Sequence, residues 1–136
     1  MSTPKATVLI VDDDASVRVG LGRLMRCAGY AVETFASPSE FLAAAPPSGP
    51  ACLVLDVRMR DLGGLALKER LNQNGNHIPV IMITADEGMN LREEAVALGA
   101  AGFFRKPVDG RSLVDAIEFA LSQEPLKTTP RRQCRD

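Results

Sequence analysis

The sequence predicts a single-domain α/β fold over residues 1–122: a doubly wound parallel sheet built from five strand–helix units, (βα)5. Three observations predict it. Short apolar runs of strand character alternate with stretches whose apolar residues fall at helical spacing. The apolar runs lack a polar alternation, as expected of parallel strands covered on both faces. Glycine and proline punctuate the joints.

Taken in order, the first strand is Thr7–Val11, "TVLIV". Val17, Leu21, Leu24 and Met25 then lie at i, i+4, i+7 and i+8, one face of a helix. Gly29 follows, where a left-handed terminal residue is expected. Ala31–Phe35 is the second strand. Ser37, Pro38, Ser39 and Glu40 have the form of a helix start with proline in the first turn. "APPSGP" is a loop, and Cys52–Asp56 is the third strand. Leu65, Leu67 and Leu71 after Gly63 and Gly64 mark the next helix. Val80–Thr84 is the fourth strand, and Leu91, Ala95 and Leu98 before Gly99 form its helix. The short run Gly102–Phe104 is the fifth strand, and Leu113, Ile117 and Leu121 close the domain. Residues 123–136, with Pro125 and Pro130 and little apolar content, read as a disordered tail.

Composition bounds the function. The chain has 136 residues, 46% hydrophobic and 24% charged, enough for one core. A net charge of −1 gives no field that would draw nucleic acid or an anionic membrane. No apolar run approaches the ~20 residues of a membrane span, and the start has no signal-peptide shape. A cytoplasmic protein is expected. Cys27, Cys52 and Cys134 are odd in number and far apart, and His77 is the only histidine, so a zinc site lacks ligands.

In open α/β sheets, ligands bind outside the carboxyl ends of the strands. The first predicted strand ends on Asp12, Asp13 and Asp14, the third on Asp56, and the fourth on Thr84. Lys106-Pro107 follows the fifth. Carboxylates, a hydroxyl and an ammonium are therefore expected on one rim. Crowded carboxylates raise one another's pKa unless a cation joins them. A hard divalent ion such as Mg2+ takes one or two carboxylates and keeps several waters. Asp12 and Asp13 can anchor that ion, which leaves Asp56 free to attack a phosphoryl group as a nucleophile. The ion and Lys106 would neutralise the phosphoryl oxygens, and Thr84 could donate to one of them. Taken alone, the acidic run before a helix could equally be a cap.

The segments "LIVDDD", "CLVLDVRMRDLGGL", "VIMITA" and "GAAGFFRKPVD", in this order and spacing, resemble the receiver domain of two-component response regulators over about residues 6–122. "LVLDVRM" followed by "GL" is most similar to receivers of nitrogen-fixation-type LuxR-class transcription factors. The resemblance implies a flavodoxin-like fold with strand order 2-1-3-4-5. It makes Asp56 the phosphoacceptor, with Asp13 and Asp56 binding Mg2+ directly and Asp12 acting mainly through water. The backbone carbonyl of Arg58 would be a third metal ligand, Thr84 the switch hydroxyl, Lys106 the phosphate-contacting lysine and Phe103 the aromatic switch. Lys106-Pro107 would be a cis peptide. The partners implied are a sensor histidine kinase, and a homodimer partner or output domain on the face of the fourth helix, fifth strand and fifth helix. Neither nucleic acid nor membrane binding by this domain is implied, nor any enzyme activity beyond self-phosphorylation and autodephosphorylation. The chain departs from the pattern at Arg60, where proline is usual, and at Phe103, where tyrosine is commoner. Asp14 is an extra acid, assigned to solvent or to the positive end of the helix dipole.

An enzyme reading stands beside this one. "LIVDDDASV" is also similar to the opening motif of haloacid-dehalogenase-type phosphohydrolases, with Asp12 as nucleophile and Asp14 as acid/base. Thr84 and Lys106 could serve as that family's second and third motifs. It lacks an acidic pair at a later strand end, and Asp56 would have no task.

Overall fold

A computed structural model describes residues 5–59, 62–85 and 90–123. Arg60, Cys134 and nearly all of the predicted tail lie outside the described residues. The elements are β1 (Thr7–Val11), α1 (Ala15–Cys27), β2 (Ala31–Phe35), α2 (Pro38–Ala43), β3 (Ala51–Asp56), α3 (Gly64–Gln73), β4 (Val80–Thr84), α4 (Leu91–Ala97), β5 (Gly102–Arg105) and α5 (Gly110–Ser122). The five strands are all parallel and ordered β2-β1-β3-β4-β5. β3 begins one residue earlier than the sequence predicts, and β5 runs one residue further. Leu98 is the residue that ends α4 rather than part of it.

Each central strand is apolar on both faces because each face meets helices. Val8, Ile10, Cys52, Val54, Ile81 and Ile83 point to one side, where Met25 of α1 and Leu113 and Ile117 of α5 cover them. Leu9, Val11, Leu53, Leu55, Val80 and Met82 point to the other, beneath α3 and α4. A side chain such as Leu53 or Ile81, with no exposed surface, is worth ~1.5–3 kcal/mol of burial. The edge strand β2 is half-exposed, and its exposed positions are the consecutive polar residues Glu33 and Thr34.

The helix ends are set locally. Ser37 Oγ accepts from the Glu40 amide while Glu40 Oε1 accepts from the Ala36 amide, so the start of α2 is closed from both sides. Gly29, at φ 99°, takes the left-handed turn that ends α1, its amide donating to the Arg26 carbonyl. Gly64 answers a different demand. A Cβ there would lie 2.5 Å from the Asp56 carbonyl oxygen and 2.9 Å from Val57 Cα, so α3 starts directly against the end of β3.

Candidate functional site

The site lies where the chain reverses direction across the sheet, between β1 and β3. β1 connects outward to β2, and β3 begins the walk to the other edge, so the loops after β1 and β3 diverge and leave a crevice. Val11 pairs with Leu55, which places Asp12 and Asp56 at equivalent positions on neighbouring strand ends. Asp56 pairs with Ile83, so Thr84 is one residue further out on β4. Thr84 pairs with Arg105, and Lys106 follows.

Asp12 has no exposed surface. Its Oδ1 accepts from the Asp14 amide at 2.9 Å, and its Oδ2 accepts from Lys106 Nζ at 3.0 Å. Lys106 Nζ lies 3.6 Å from Asp56 Oδ2. The Arg58 amide approaches Asp56 Oδ1 at 3.4 Å. Asp13 is exposed, and oxygens of Asp12, Asp13 and Asp56 lie within 4.8 Å of one another, a spacing at which one cation can reach all three. Thr84 is fully buried, and its carbonyl accepts from the Lys106 amide at 2.8 Å. The Lys106–Pro107 peptide is cis. Phe103, half-buried on β5, packs against the α3–α4 side of the core, and the Arg92 guanidinium sits 5.2 Å from its ring centre.

The electrostatics single out Asp56. Burial first, then the Asp12 charge, push its carboxyl from 3.8 up to about 6, although Lys106 and the Arg58 amide pull the other way. Burial of the Lys106 ammonium disfavours its charge, but its hydrogen bond to Asp12 and the charges of Asp12 and Asp56 outweigh it and hold the amine above its ordinary range. A buried carboxylate next to a held ammonium and two further acids suits a highly charged group.

Capping belongs to Asp14 and not to the Asp12–Asp13 pair. Asp14 Oδ1 accepts from the Ser16 amide, the Ser16 hydroxyl and the Val17 amide, which holds its carboxyl below the ordinary range. With Asp14 occupied as a cap and both oxygens of Asp12 engaged, the nucleophile and acid/base of the phosphohydrolase reading are already committed elsewhere. His77 is exposed, and Cys52 is buried with its thiol pushed up to about 12 by burial.

Two residues of structural weight escaped the sequence reading. Arg18 Nη1 donates to the Asp12 carbonyl at 2.7 Å. Lys68 is buried and donates to Asn72 Oδ1 at 2.7 Å, while Asn72 Nδ2 donates to the Leu98 carbonyl at 2.9 Å, joining α3 to the end of α4. The signal for Arg18 was its position: a cation near a helix N-terminus opposes the dipole unless something else holds it.

A family model described as the response regulator receiver domain matches residues 8–118. Response regulator protein TodT of Pseudomonas putida is 38% identical over 125 residues, covering 92% of this chain and 55% of that protein. Transcriptional regulatory protein FixJ of Azorhizobium caulinodans is 39% identical over 116 residues, covering 85% of this chain and 55% of that protein. The chain thus spans about half the length of the curated relatives it matches. The crystal structure of FixJ-N superposes with a TM-score of 0.79 at 36% identity, over 90% of this chain and 96% of that one. Full-length FixJ from B. japonicum gives a TM-score of 0.84 at 36% identity, over 92% of this chain and 62% of that one.

Proposed function

The chain belongs to the response regulator receiver domain family, and we propose that Asp56 is its phosphoacceptor, taking a phosphoryl group from a phosphohistidine of a sensor histidine kinase. The observation that carries this is the convergence on one rim of Asp56, Asp12, Asp13 and Lys106, with Thr84 at the adjoining strand end. An Asp56 carboxylate oxygen attacks phosphorus. The P–N bond breaks, a P–O bond forms, and the imidazole leaves and takes up a proton. Hydrolysis reverses the state: water attacks phosphorus, and Asp56 leaves as the carboxylate.

The acidic residues fit a hard divalent cation, Mg2+ in this reading, through Asp13 and Asp56, with the Arg58 carbonyl as a third ligand and Asp12 acting through water. Bound there, the ion supplies charge neutralisation for the phosphoryl oxygens. Lys106 leaves Asp12 for a phosphoryl oxygen, and the Thr84 hydroxyl donates to another. Asp12, its oxygens held by the Asp14 amide and Lys106, serves as an acceptor and not as a nucleophile.

Output would pass through the surface formed by α4, β5 and α5, where Val96 and Phe119 are 64% and 66% exposed. A second receiver or an output domain is the partner that reading assigns to it. No described helix is long and apolar enough to cross a membrane.

Incubation with acetyl phosphate and Mg2+ tests the assignment. The protein should gain one acid-labile, hydroxylamine-sensitive phosphoryl group, mapped to Asp56 by mass spectrometry, and Asp56→Asn should gain none. A label on Asp12 would overturn the reading.

A further inference from the structure

We propose that Arg18 is a positioning residue for the metal ligand Asp13, acting through the backbone of the loop between β1 and α1. The inference rests on the metal reading above and adds a residue to it. Among the described residues, no hydrogen bond or ion pair holds the exposed Asp13 side chain. Its placement must therefore come from its main chain.

Both peptides around Asp13 are clamped. The carbonyl before it, that of Asp12, accepts from Arg18 Nη1 at 2.7 Å. The amide after it, that of Asp14, donates to Asp12 Oδ1 at 2.9 Å. Asp14 in turn is fixed by its three bonds into the first turn of α1, the helix that carries Arg18. The loop is thus closed on itself: strand end to helix through Arg18, and helix start to strand end through Asp14 and Asp12. A cation on the first turns of a helix opposes the helix dipole, and it would repel a divalent ion bound by Asp13 and Asp56. Its retention there makes sense if the geometry it imposes outweighs that cost.

Charge and position predict opposite signs, which makes the proposal decidable. If Arg18 acted by charge, its removal would tighten Mg2+ binding. If it acts by position, removal frees the Asp12–Asp13 peptide and weakens binding. Mg2+ affinity would be measured by isothermal titration calorimetry on the wild type, Arg18→Gln, Arg18→Lys and Arg23→Gln. Arg23 is exposed on the same helix and controls for charge. Arg18→Gln should bind about 10-fold more weakly, the scale on which losing an outer partner of a metal ligand acts. Arg18→Lys, which can still donate one bond, should recover part of the loss, and Arg23→Gln should match the wild type. The Mg2+ concentration for half-maximal labelling by acetyl phosphate should rise in Arg18→Gln, while the rate at saturating Mg2+ stays near that of the wild type. Unchanged or tighter binding by Arg18→Gln, with Tm in the absence of metal unchanged, would overturn the proposal. A wild-type protein that binds no Mg2+ would instead sink the metal reading, and this inference with it.

Discussion

Lys106 donates to Asp12 at 3.0 Å and stands 3.6 Å from Asp56, so the ammonium rests on Asp12 and not on the proposed phosphoacceptor. Asp12 is fully buried, and a buried carboxylate without a cation nearby costs far more than an exposed one. In the proposed mechanism Lys106 therefore has two partners in sequence: Asp12 first and the phosphoryl group after transfer.

Substituting Lys106 should separate the two tasks. In Lys106→Met the acidic residues lose their nearest cation, and a divalent ion becomes a better substitute for it. Mg2+ affinity should stay the same or rise, and Mg2+ should raise Tm by more than it does in the wild type. Labelling by acetyl phosphate should slow and any conformational response should weaken. Calorimetric titration reading a clear loss of Mg2+ affinity would mean that Lys106 shapes the metal site and does more than balance its charge.

The raised carboxyl of Asp56 predicts a conflict between stability and function. Its folded-state pKa of about 6 exceeds the ordinary 3.8, so the metal-free folded protein binds this proton more tightly than the unfolded chain. Ionising Asp56 thus opposes folding. The cost is present in full above about pH 6 and is relieved as pH falls through 6 toward 4. A shift of this size corresponds to an upper value of roughly 3 kcal/mol. In EDTA at pH 7.5, Asp56→Asn should melt several degrees above the wild type, and the gap should close by about pH 4.5. Equal melting temperatures at pH 7.5 would show that Asp56 is not strained by ionisation. Labelling at limiting Mg2+ should rise with pH through about 6, because only the carboxylate attacks.

Most of the rim was legible because parallel strand–helix units bring all strand ends to one edge. Once Asp12, Asp56, Thr84 and Lys106 were placed at strand ends, their convergence followed from topology. What was illegible depended on direction and reach. An acidic triplet does not say which carboxylate turns back to cap the helix, and Asp14 rather than its neighbours does so. Lys68 was passed over because helical periodicity counts lysine as polar. It is nonetheless buried, as Leu67 and Leu71 are, while its ammonium reaches Asn72, four residues on. Arg18 stood out by its place near a helix N-terminus, but its partner, a main-chain oxygen, leaves no mark in the sequence.

Two glycines should respond to alanine with opposite signs. At Gly64 the added Cβ would meet Asp56 and Val57 main-chain atoms at 2.5 and 2.9 Å, and neither can yield without moving the acceptor. Gly64→Ala should lose about 1–3 kcal/mol or more and label poorly. Gly20 lies within α1, and a Cβ there meets nothing within 4 Å. Gly20→Ala should gain up to about 1 kcal/mol with labelling unchanged. Urea unfolding of both variants checks this. A stable, fully active Gly64→Ala would mean that the start of α3 is not held as tightly to Asp56 as its geometry implies.

The last prediction concerns transmission from Asp56 to the α4–β5 surface. A phosphoryl group that draws in the Thr84 hydroxyl would make room behind β4 for Phe103 to turn inward, in a population shift between two states. Going from 1:99 to 99:1 requires ~5.5 kcal/mol. One hydrogen bond to a charged group supplies ~1.5–3 kcal/mol, so Lys106, Thr84 and burial of the ring must act together. Two features resist the change. Arg92 sits over the Phe103 ring, worth ~0.5–1 kcal/mol at an exposed site, and Asn72 ties α3 to the Leu98 carbonyl at the far end of α4. Within α4 only Leu91 and Ala95 are buried, so the helix rests on a small apolar footing. Thr84→Ala should therefore still accept phosphate but respond weakly. Arg92→Ala should shift the unphosphorylated protein about 2- to 5-fold toward the responsive state, the equivalent of the lost cation–π contact. Hydrogen exchange on the phosphorylated wild type should show new protection at Leu91 and across Phe103–Lys106, and in the loop from 86 to 89, which lies outside the described residues. Full phosphorylation of Asp56 with no change in exchange at these amides would refute the coupling of Thr84 to Phe103 while leaving the phosphoacceptor assignment standing.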